Sequence, residues 1–241
     1  QVELYDGLAA RSVNVSPSVD FDWRSIHGWF ARFMPPGFYY KTFMWPAGWW
    51  RFYEHQIRKA AGFGVAPNAP DPDSYDHMNA HCDVLVVGGG PAGIGAALEA
   101  ARAGARLVVV DERAEPGGSL LDKSETVGAE SATDWIEATV RELRGLPEVR
   151  LLTRTTATGY YEHNFMLALE RRTDHLGPGD GIGPRQRLWR LRAQQVILAT
   201  GAIERPLVFS NNDRPGIMLA AAAAEYVSRY GALPGSRAVV F

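Results

Sequence analysis

The sequence predicts an α/β fold: a parallel sheet carrying a three-stranded antiparallel meander, preceded by an irregular aromatic-rich segment. Three observations predict it. Two short apolar runs, "CDVLVVGGG" and "ARLVVVDE", flank the alanine-rich stretch "PAGIGAALEAARAG", which is closed by Gly104. This reads as strand, helix and strand in about thirty residues, hence a right-handed parallel crossover. Further along, the hydrophobic period changes to two in "TATGYYEHN", "FMLALERRT" and "RLWRLRAQ", the pattern of three antiparallel strands. Ahead of all this, residues 32 to 54, "RFMPPGFYYKTFMWPAGWWRFYE", place ten aromatic side chains in twenty-three positions without a regular period.

In chain order, the aromatic-rich segment covers residues 1 to 64 and holds one helix, "WRFYEHQIRKAAGFG", ending at Gly62 or Gly64. The proline-rich and acidic "VAPNAPDPDSYDH" opens an extended linker over residues 65 to 81. After the first crossover, Ser131 and Asp134 form a capping-box start for a helix whose Trp135, Ile136, Val140 and Leu143 share one face. "EVRLLTRT" is the third parallel strand. The glycine-rich "HLGPGDGIGPR" reads as a flexible hairpin loop before the last meander strand, because no helix follows it. "QQVILATGA" then returns to a separate buried strand, and the alanine run at 220 to 224 is helix sequence.

The totals narrow the class of function. A chain of 241 residues with 46% hydrophobic content buries a sizeable core, and a net charge of −2 with mixed signs offers no basic footprint for nucleic acid or lipid. The single Cys82 excludes an internal disulfide and a thiolate metal cluster, and favours a reducing, cytoplasmic location. No window reaches the roughly 18 consecutive apolar residues of a membrane helix. The chain opens on Gln1 and closes on "GSRAVVF", which reads as a strand just begun, so a fragment of a longer protein is expected.

The strongest chemical signal is Gly88, Gly90 and Gly93 in "VVGGGPAGIG", between a strand and a helix. Gly88 permits the tight turn, Gly90 leaves room for a pyrophosphate, and Gly93 lets helix and strand pack closely. Amides and dipole at the helix start then bind phosphate. Asp111, at the end of the second strand, places a carboxylate where an adenosine ribose would lie, which disfavours a 2′-phosphate and hence NADP. "ATGA" at 199 to 202 adds a small turn at the same sheet edge. The order of elements resembles the glutathione-reductase-like (Rossmann-type) flavoproteins with two dinucleotide domains. By that resemblance residues 82 to 233 are the first dinucleotide-binding domain and 234 to 241 the start of a truncated second one.

A narrower resemblance rests on "VELYDGLAARSVNVSPSVDFD", "RFMPPGFYYKTFMWP", "VVGGGPAGIGAALEAARAGARLVVVDE" and "LATGAIERPLVFSNNDRPGIMLA". Together they resemble the alpha subunit of heterotetrameric sarcosine oxidase; opine oxidase and hydrogen cyanide synthase subunits are similar less closely. The resemblance implies an oxidoreductase acting on CH–NH donors. Sarcosine is demethylated oxidatively to glycine with hydrogen peroxide, and a one-carbon unit passes to tetrahydrofolate. It further implies beta, gamma and delta partner subunits, with sarcosine handled at FAD in the beta subunit, while FMN sits at the alpha–beta interface. NAD would occupy the alpha subunit's own fold, and the tetrahydrofolate site would lie in the C-terminal region beyond Phe241. Carried over, Gly88, Gly90, Pro91, Ala92 and Gly93 match the phosphate turn and Asp111 with Glu112 the ribose site. Arg113, Gly118 and Ser119 match the loop over the nucleotide, Thr156 and Ala157 lie near adenine, and Thr200 and Gly201 match the second turn.

Other residues read more plainly. His77, His81 and Cys82 have metal-like spacing but no fourth ligand, and no metal site is assigned. Glu204 and Arg205 either pair with each other or touch the cofactor. Lys41, His55, His163 and His175 are isolated, so no catalytic residue is named. Two alternatives accompany the NAD reading: the same turn holding FAD in a subunit of the opine oxidase or cyanide synthase type, and a structural scaffold with a non-catalytic nucleotide. The aromatic segment is read as the tail of an upstream domain that packs at a subunit interface, with burial under that upstream domain as the rival reading.

Overall fold

The computed structural model describes residues 3–240 apart from positions 11, 19, 34, 36, 65, 67, 123, 124, 178–180 and 213. The chain divides into two compact units, Leu4–Pro72 and a larger one formed by Gln1–Glu3 with Asp73–Phe241.

The smaller unit is more helical than its sequence suggested. Besides the expected helix it contains α1 (Ile26–Phe30) and α2 (Phe38–Thr42), with short 3-10 turns beside α1. The expected helix is α3 (Trp50–Ala61), and it ends at Gly62, which takes a left-handed conformation at φ 72° as a helix C-terminus favours. Aromatic rings pack on one another: Phe43 on Tyr53 with centroids 5.3 Å apart, and Trp49 on Phe52 at 6.2 Å. Trp29, Trp45, Trp49 and Phe52 nevertheless remain exposed.

The larger unit is built on β1 (Tyr75–Val87), α4 (Pro91–Arg102), β2 (Leu107–Val110), a two-stranded ribbon of β3 (Thr126–Val127) and β4 (Glu130–Ser131), and α5 (Ala132–Gly145). Then follow β5 (Val149–Leu152), β6 (Thr155–Tyr161), β7 (Phe165–Arg171), β8 (Gln186–Leu198) and α6 (Ala220–Ser228). Ser131 caps α5 by accepting from the Asp134 amide at 3.1 Å, as its sequence predicts.

Six strands form one sheet in the order β5-β2-β1-β8-β7-β6. β5, β2, β1 and β8 run parallel to their neighbours, while β8, β7 and β6 pair antiparallel. Two expectations are corrected here. The last meander strand and the buried strand "QQVILATGA" are one continuous strand, β8, since no glycine or proline interrupts Gln186–Leu198 and one strand serves both neighbours. The linker also ends earlier than residue 81, because β1 begins at Tyr75 and pairs with β8 from Tyr75↔Gln186 to Val87↔Leu198. The polar "YDHMNAH" carries little strand signal of its own. Pairing supplies it, with Asp76 held by Arg187 at 2.7 Å and Asp73 by Arg185. The middle of the hairpin loop before β8 lies outside the described residues. The strand expected in "GSRAVVF" is not formed over the described residues 235–240.

Only Thr153 and Arg154 separate β5 from β6, although these strands are at opposite ends of the sheet. Three residue steps span at most about 11 Å, whereas a flat six-stranded sheet is roughly 24 Å across. The sheet therefore folds back so that the meander covers one face of the parallel strands. Alternation then creates two cores. Leu85, Val87, Val108, Val110, Met166, Trp189 and Leu191 are buried between parallel strands and meander. Val86, Val109, Ile94, Ala97, Ile136, Val140 and Leu143 are buried between the sheet and α4 with α5.

This packing generates two predictions. Leu85, fully buried at the centre of the meander-side core, should cost about 2–5 kcal/mol as Leu85→Ala, read from the urea midpoint. The second concerns acid. Hydrogen bonds from Arg187, Arg106 and Arg154 hold the carboxyls of Asp76, Asp83 and Glu3 below the ordinary carboxylate range. A depressed folded value contributes stability that is present above the unfolded value of about 4 and is lost as pH falls through the folded one. The midpoint should therefore drop as pH is lowered below about 4, and the drop should shrink in Arg187→Gln.

Candidate nucleotide-binding site

The ends of the parallel strands are tied to one another through backbone. Gly88 donates to the Val110 carbonyl at 2.8 Å, Ala199 to Val87 at 2.8 Å, Asp111 to Leu152 at 2.9 Å and Thr155 to Asp111 at 2.7 Å. The residues predicted from four separate stretches thus converge on one edge, the carboxyl edge where open α/β sheets bind ligands.

Gly88, Gly90 and Gly93 occupy that edge with three different duties. Gly88 has φ +105°, and a Cβ there would strike the Ala199 carbonyl. A Cβ on Gly93 would strike the Gly88 carbonyl, so strand end and helix start touch backbone to backbone. Gly90 caps α4 in an extended conformation, and a Cβ on it would meet nothing nearer than the Gly118 Cα at 4.0 Å. The space before Gly90 is open. Pro91 stands at the first helical position and brings no N–H. The amides of Ala92 and Gly93 have no acceptor within the helix and face this space with the positive end of the helix dipole. The cradle fits a diphosphate: small backbone, outward donors, positive dipole and room.

Asp111 is buried, and its carboxylate faces backbone: Oδ2 accepts from the Gly89 amide and Oδ1 from the Arg113 amide at 2.7 Å. Both oxygens are thus already in use, and only their remaining lone pairs are left for a further donor. Glu112, beside it, is exposed. The following loop seats on the phosphate turn. Gly117 donates to the Gly89 carbonyl at 2.8 Å, and a Cβ on Gly118, at φ +54°, would lie 2.8 Å from the Gly90 Cα. Arg113 is half-buried and reaches the Gly118 carbonyl at 3.5 Å and Asp122 at 3.4 Å. Ser119 is exposed beside it.

Thr156 is exposed on β6, which pairs only with β7 among the described strands. Ala157 is half-buried, its methyl packed against the meander-side core. Thr200 and Gly201 follow β8 after Ala199 and are exposed, Gly201 at φ +72°. Glu204 Oε2 accepts from the Ala221 amide at 3.0 Å and so caps α6, and among the described residues no ion pair joins it to Arg205. Sequence reasoning passed over Gly89 and Gly117. A Cβ on Gly89 would come within 2.8 Å of Asp111 Oδ2, and one on Gly117 within 2.8 Å of Leu121. The doubled glycines in "GGG" and "PGG" were the available signal.

His77 and His81 are exposed, while Cys82 is buried in the meander-side core, since consecutive strand residues point to opposite faces. Burial pushes the Cys82 thiol up to about 11, which keeps it protonated and a poor ligand or nucleophile at neutral pH. A cavity of about 270 Å³ lined by Asn79, Arg106 and Arg150 lies at the opposite, amino-terminal edge of the sheet, away from the glycine turn.

Residues 83–165 match the FAD dependent oxidoreductase family, a span that holds the glycine turn, the second strand and the loop over it. That part of the larger unit is thus similar to the FAD dependent oxidoreductases. The sarcosine oxidase alpha subunit from Rhizobium meliloti (strain 1021) is 50% identical over 240 residues, covering 99% of this chain and 24% of the relative. The chain is similar to the alpha subunit of sarcosine oxidase. It spans about a quarter of that protein's length. A subunit of opine oxidase from Agrobacterium tumefaciens (strain Ach5) is 31% identical over 169 residues, 66% of this chain and 31% of the relative. Among solved structures, L-proline dehydrogenase from P.horikoshii matches with a TM-score of 0.53 and 29% identity, over 66% of this chain and 30% of that one. Both the sarcosine and opine oxidase relatives are named as subunits. Among the described residues no helix is long and apolar enough to cross a membrane.

The two α4 glycines make a paired prediction. Gly93→Ala should lose bound nucleotide and about 1–3 kcal/mol of stability through the clash with Gly88. Gly95→Ala, where a Cβ meets nothing within 4 Å, should retain nucleotide and gain about 0.5–1 kcal/mol. Thermal unfolding and nucleotide content measure both.

Proposed function

We infer that this chain is the nucleotide-binding part of the alpha subunit of a heteromeric amine oxidase of the sarcosine oxidase type, with NAD on the glycine turn. The observation that carries the reading is the cradle itself: Gly90 half-buried with no side chain at the start of α4, Ala92 and Gly93 amides without an acceptor in the helix, and Gly118 seated on Gly90. The ADP half is common to NAD and FAD, and a bound dinucleotide supplies hydride or electron chemistry. This chain's residues bind and orient it. Gly88 and Gly93 fix the turn, Asp111 holds the turn to the Arg113 loop, Glu112 faces the ribose, and Thr156 and Thr200 flank the adenine and second turn.

By the same reading the complete assembly demethylates sarcosine, consuming oxygen and yielding glycine and hydrogen peroxide, and delivers the one-carbon unit to tetrahydrofolate bound outside this chain. Amine oxidation takes place at FAD in a beta subunit, with FMN between alpha and beta, and gamma and delta subunits complete the heterotetramer in the cytoplasm. The exposed aromatic side chains of the smaller unit, Trp29, Trp45 and Phe52 among them, suit a surface against another polypeptide of the complex. A second reading has its own support. The family match over residues 83–165 and the opine oxidase relative favour FAD on this same turn.

Denaturing the purified protein and identifying the released nucleotide separates the two readings. NAD without flavin from this chain supports the first; FAD stoichiometric with this chain, accompanied by flavin absorption in the blue, replaces it with the second. Release of neither, together with no binding of added ADP, would remove the nucleotide assignment altogether.

A further inference from the structure

Helix α6 is joined at both ends to the elements that frame the glycine turn. Its first turn is capped by Glu204, which belongs to the "ATGAIERP" turn leaving β8. Its last turn meets the loop that follows Asp111. Arg229 contacts Glu115 at 3.0 Å and Asp122 at 3.8 Å, and the Ser228 hydroxyl lies 2.7 Å from the Asp122 carbonyl oxygen. Nine residues of helix span roughly 13 Å, so α6 forms a bar from one turn to the other.

The charges at the loop end form a chain that reaches Arg113. Arg113 lies 3.4 Å from Asp122 Oδ2 and 3.8 Å from Glu225 on α6, and Arg229 lies 3.9 Å from the same Glu225 oxygen. Asp122 is mostly buried, and its Oδ1 has no hydrogen-bond partner. A sequestered carboxylate needs a nearby cation, and for that oxygen the cation is Arg229. Removing Arg229 leaves Oδ1 without its cation and makes Arg113 the remaining cation beside Asp122, which disturbs the arrangement in which Asp122 and Glu225 together orient the Arg113 guanidinium. Arg113 in turn reaches the Gly118 carbonyl, and Gly118 is the residue seated on Gly90.

We propose that Glu225 and Arg229 are positioning residues of the nucleotide site, holding Arg113 over the phosphate turn through Asp122, so that nucleotide binding is coupled to the seating of α6. This rests on the nucleotide reading above. Neither residue touches the ligand, and neither lies in a stretch with a nucleotide signature. Their effect runs through the guanidinium of Arg113.

The test is ADP binding by calorimetry to the full protein freed of bound nucleotide. Glu225→Gln and Arg229→Gln should each weaken ADP binding roughly fivefold, Arg229→Lys should restore most of the loss, and Ser228→Ala should produce a smaller one. In an Arg113→Gln background Glu225→Gln should have no further effect, which a loss of general stability would not imitate. Glu142→Gln is the control, since it breaks an exposed ion pair with Arg102, 2.8 Å long and outside the network. Should Glu225→Gln and Arg229→Gln bind ADP as the wild type does, or should Glu225→Gln weaken binding equally with and without Arg113, the positioning role is wrong while the nucleotide reading stands. A wild-type protein that neither carries nucleotide nor binds ADP overturns both. Were Arg229→Gln to unfold, the milder Ser228→Ala and Glu225→Gln carry the same comparison.

Discussion

At the carboxyl edge of the parallel sheet, backbone lies directly on backbone. The Gly93 Cα faces the Gly88 carbonyl, the Gly88 Cα faces the Ala199 carbonyl, and no side-chain atom fits at either contact. Everything that could hold a nucleotide depends on that closeness. A helix start set even one methyl group further from the strand would turn its free amides away from the space before Gly90, and the sheet edge would present side chains where a diphosphate needs donors. The glycines are therefore a packing requirement first, and the binding geometry is its consequence.

Asp111 extends the same constraint to the second strand. Its buried carboxylate joins the amides of Gly89 and Arg113, which ties the phosphate turn to the loop that closes on it. Leaving the buried Gly89 amide unpaired would cost about 1–3 kcal/mol. A carboxylate can serve both because it has two acceptor oxygens and no donor. The residue that looked like a ribose ligand is thus also the bolt that aligns turn and loop, and Glu112 beside it carries the exposed negative charge.

Much of this was legible along the chain. Gly88, Gly90 and Gly93 between apolar strand and alanine-rich helix, the Ser131 cap and the period change into the meander are all local patterns, and the structure forms each of them where the pattern lies. The misses have a common cause. β1 extends back to Tyr75 because β8 offers a partner for a polar stretch with no strand signal. β8 is one strand rather than two because it pairs differently on its two sides. Long-range pairing decides such matters, and no window of sequence contains it. The similarity to the sarcosine oxidase alpha subunit over 99% of the chain was visible for the opposite reason: it rests on consecutive residues.

The sequence by itself determined which residues could make a phosphate turn, since a left-handed φ and the absence of a Cβ are properties of single positions. It also determined the two hydrophobic periods, and with them the class of fold. Only the tertiary structure decided which groups stand around that turn. Arg113, Asp122, Glu225 and Arg229 are spread over 117 positions of chain, and no local rule relates them. Coulomb attraction acts through space, so a network of charges becomes readable only once α6 is laid beside the loop after Asp111.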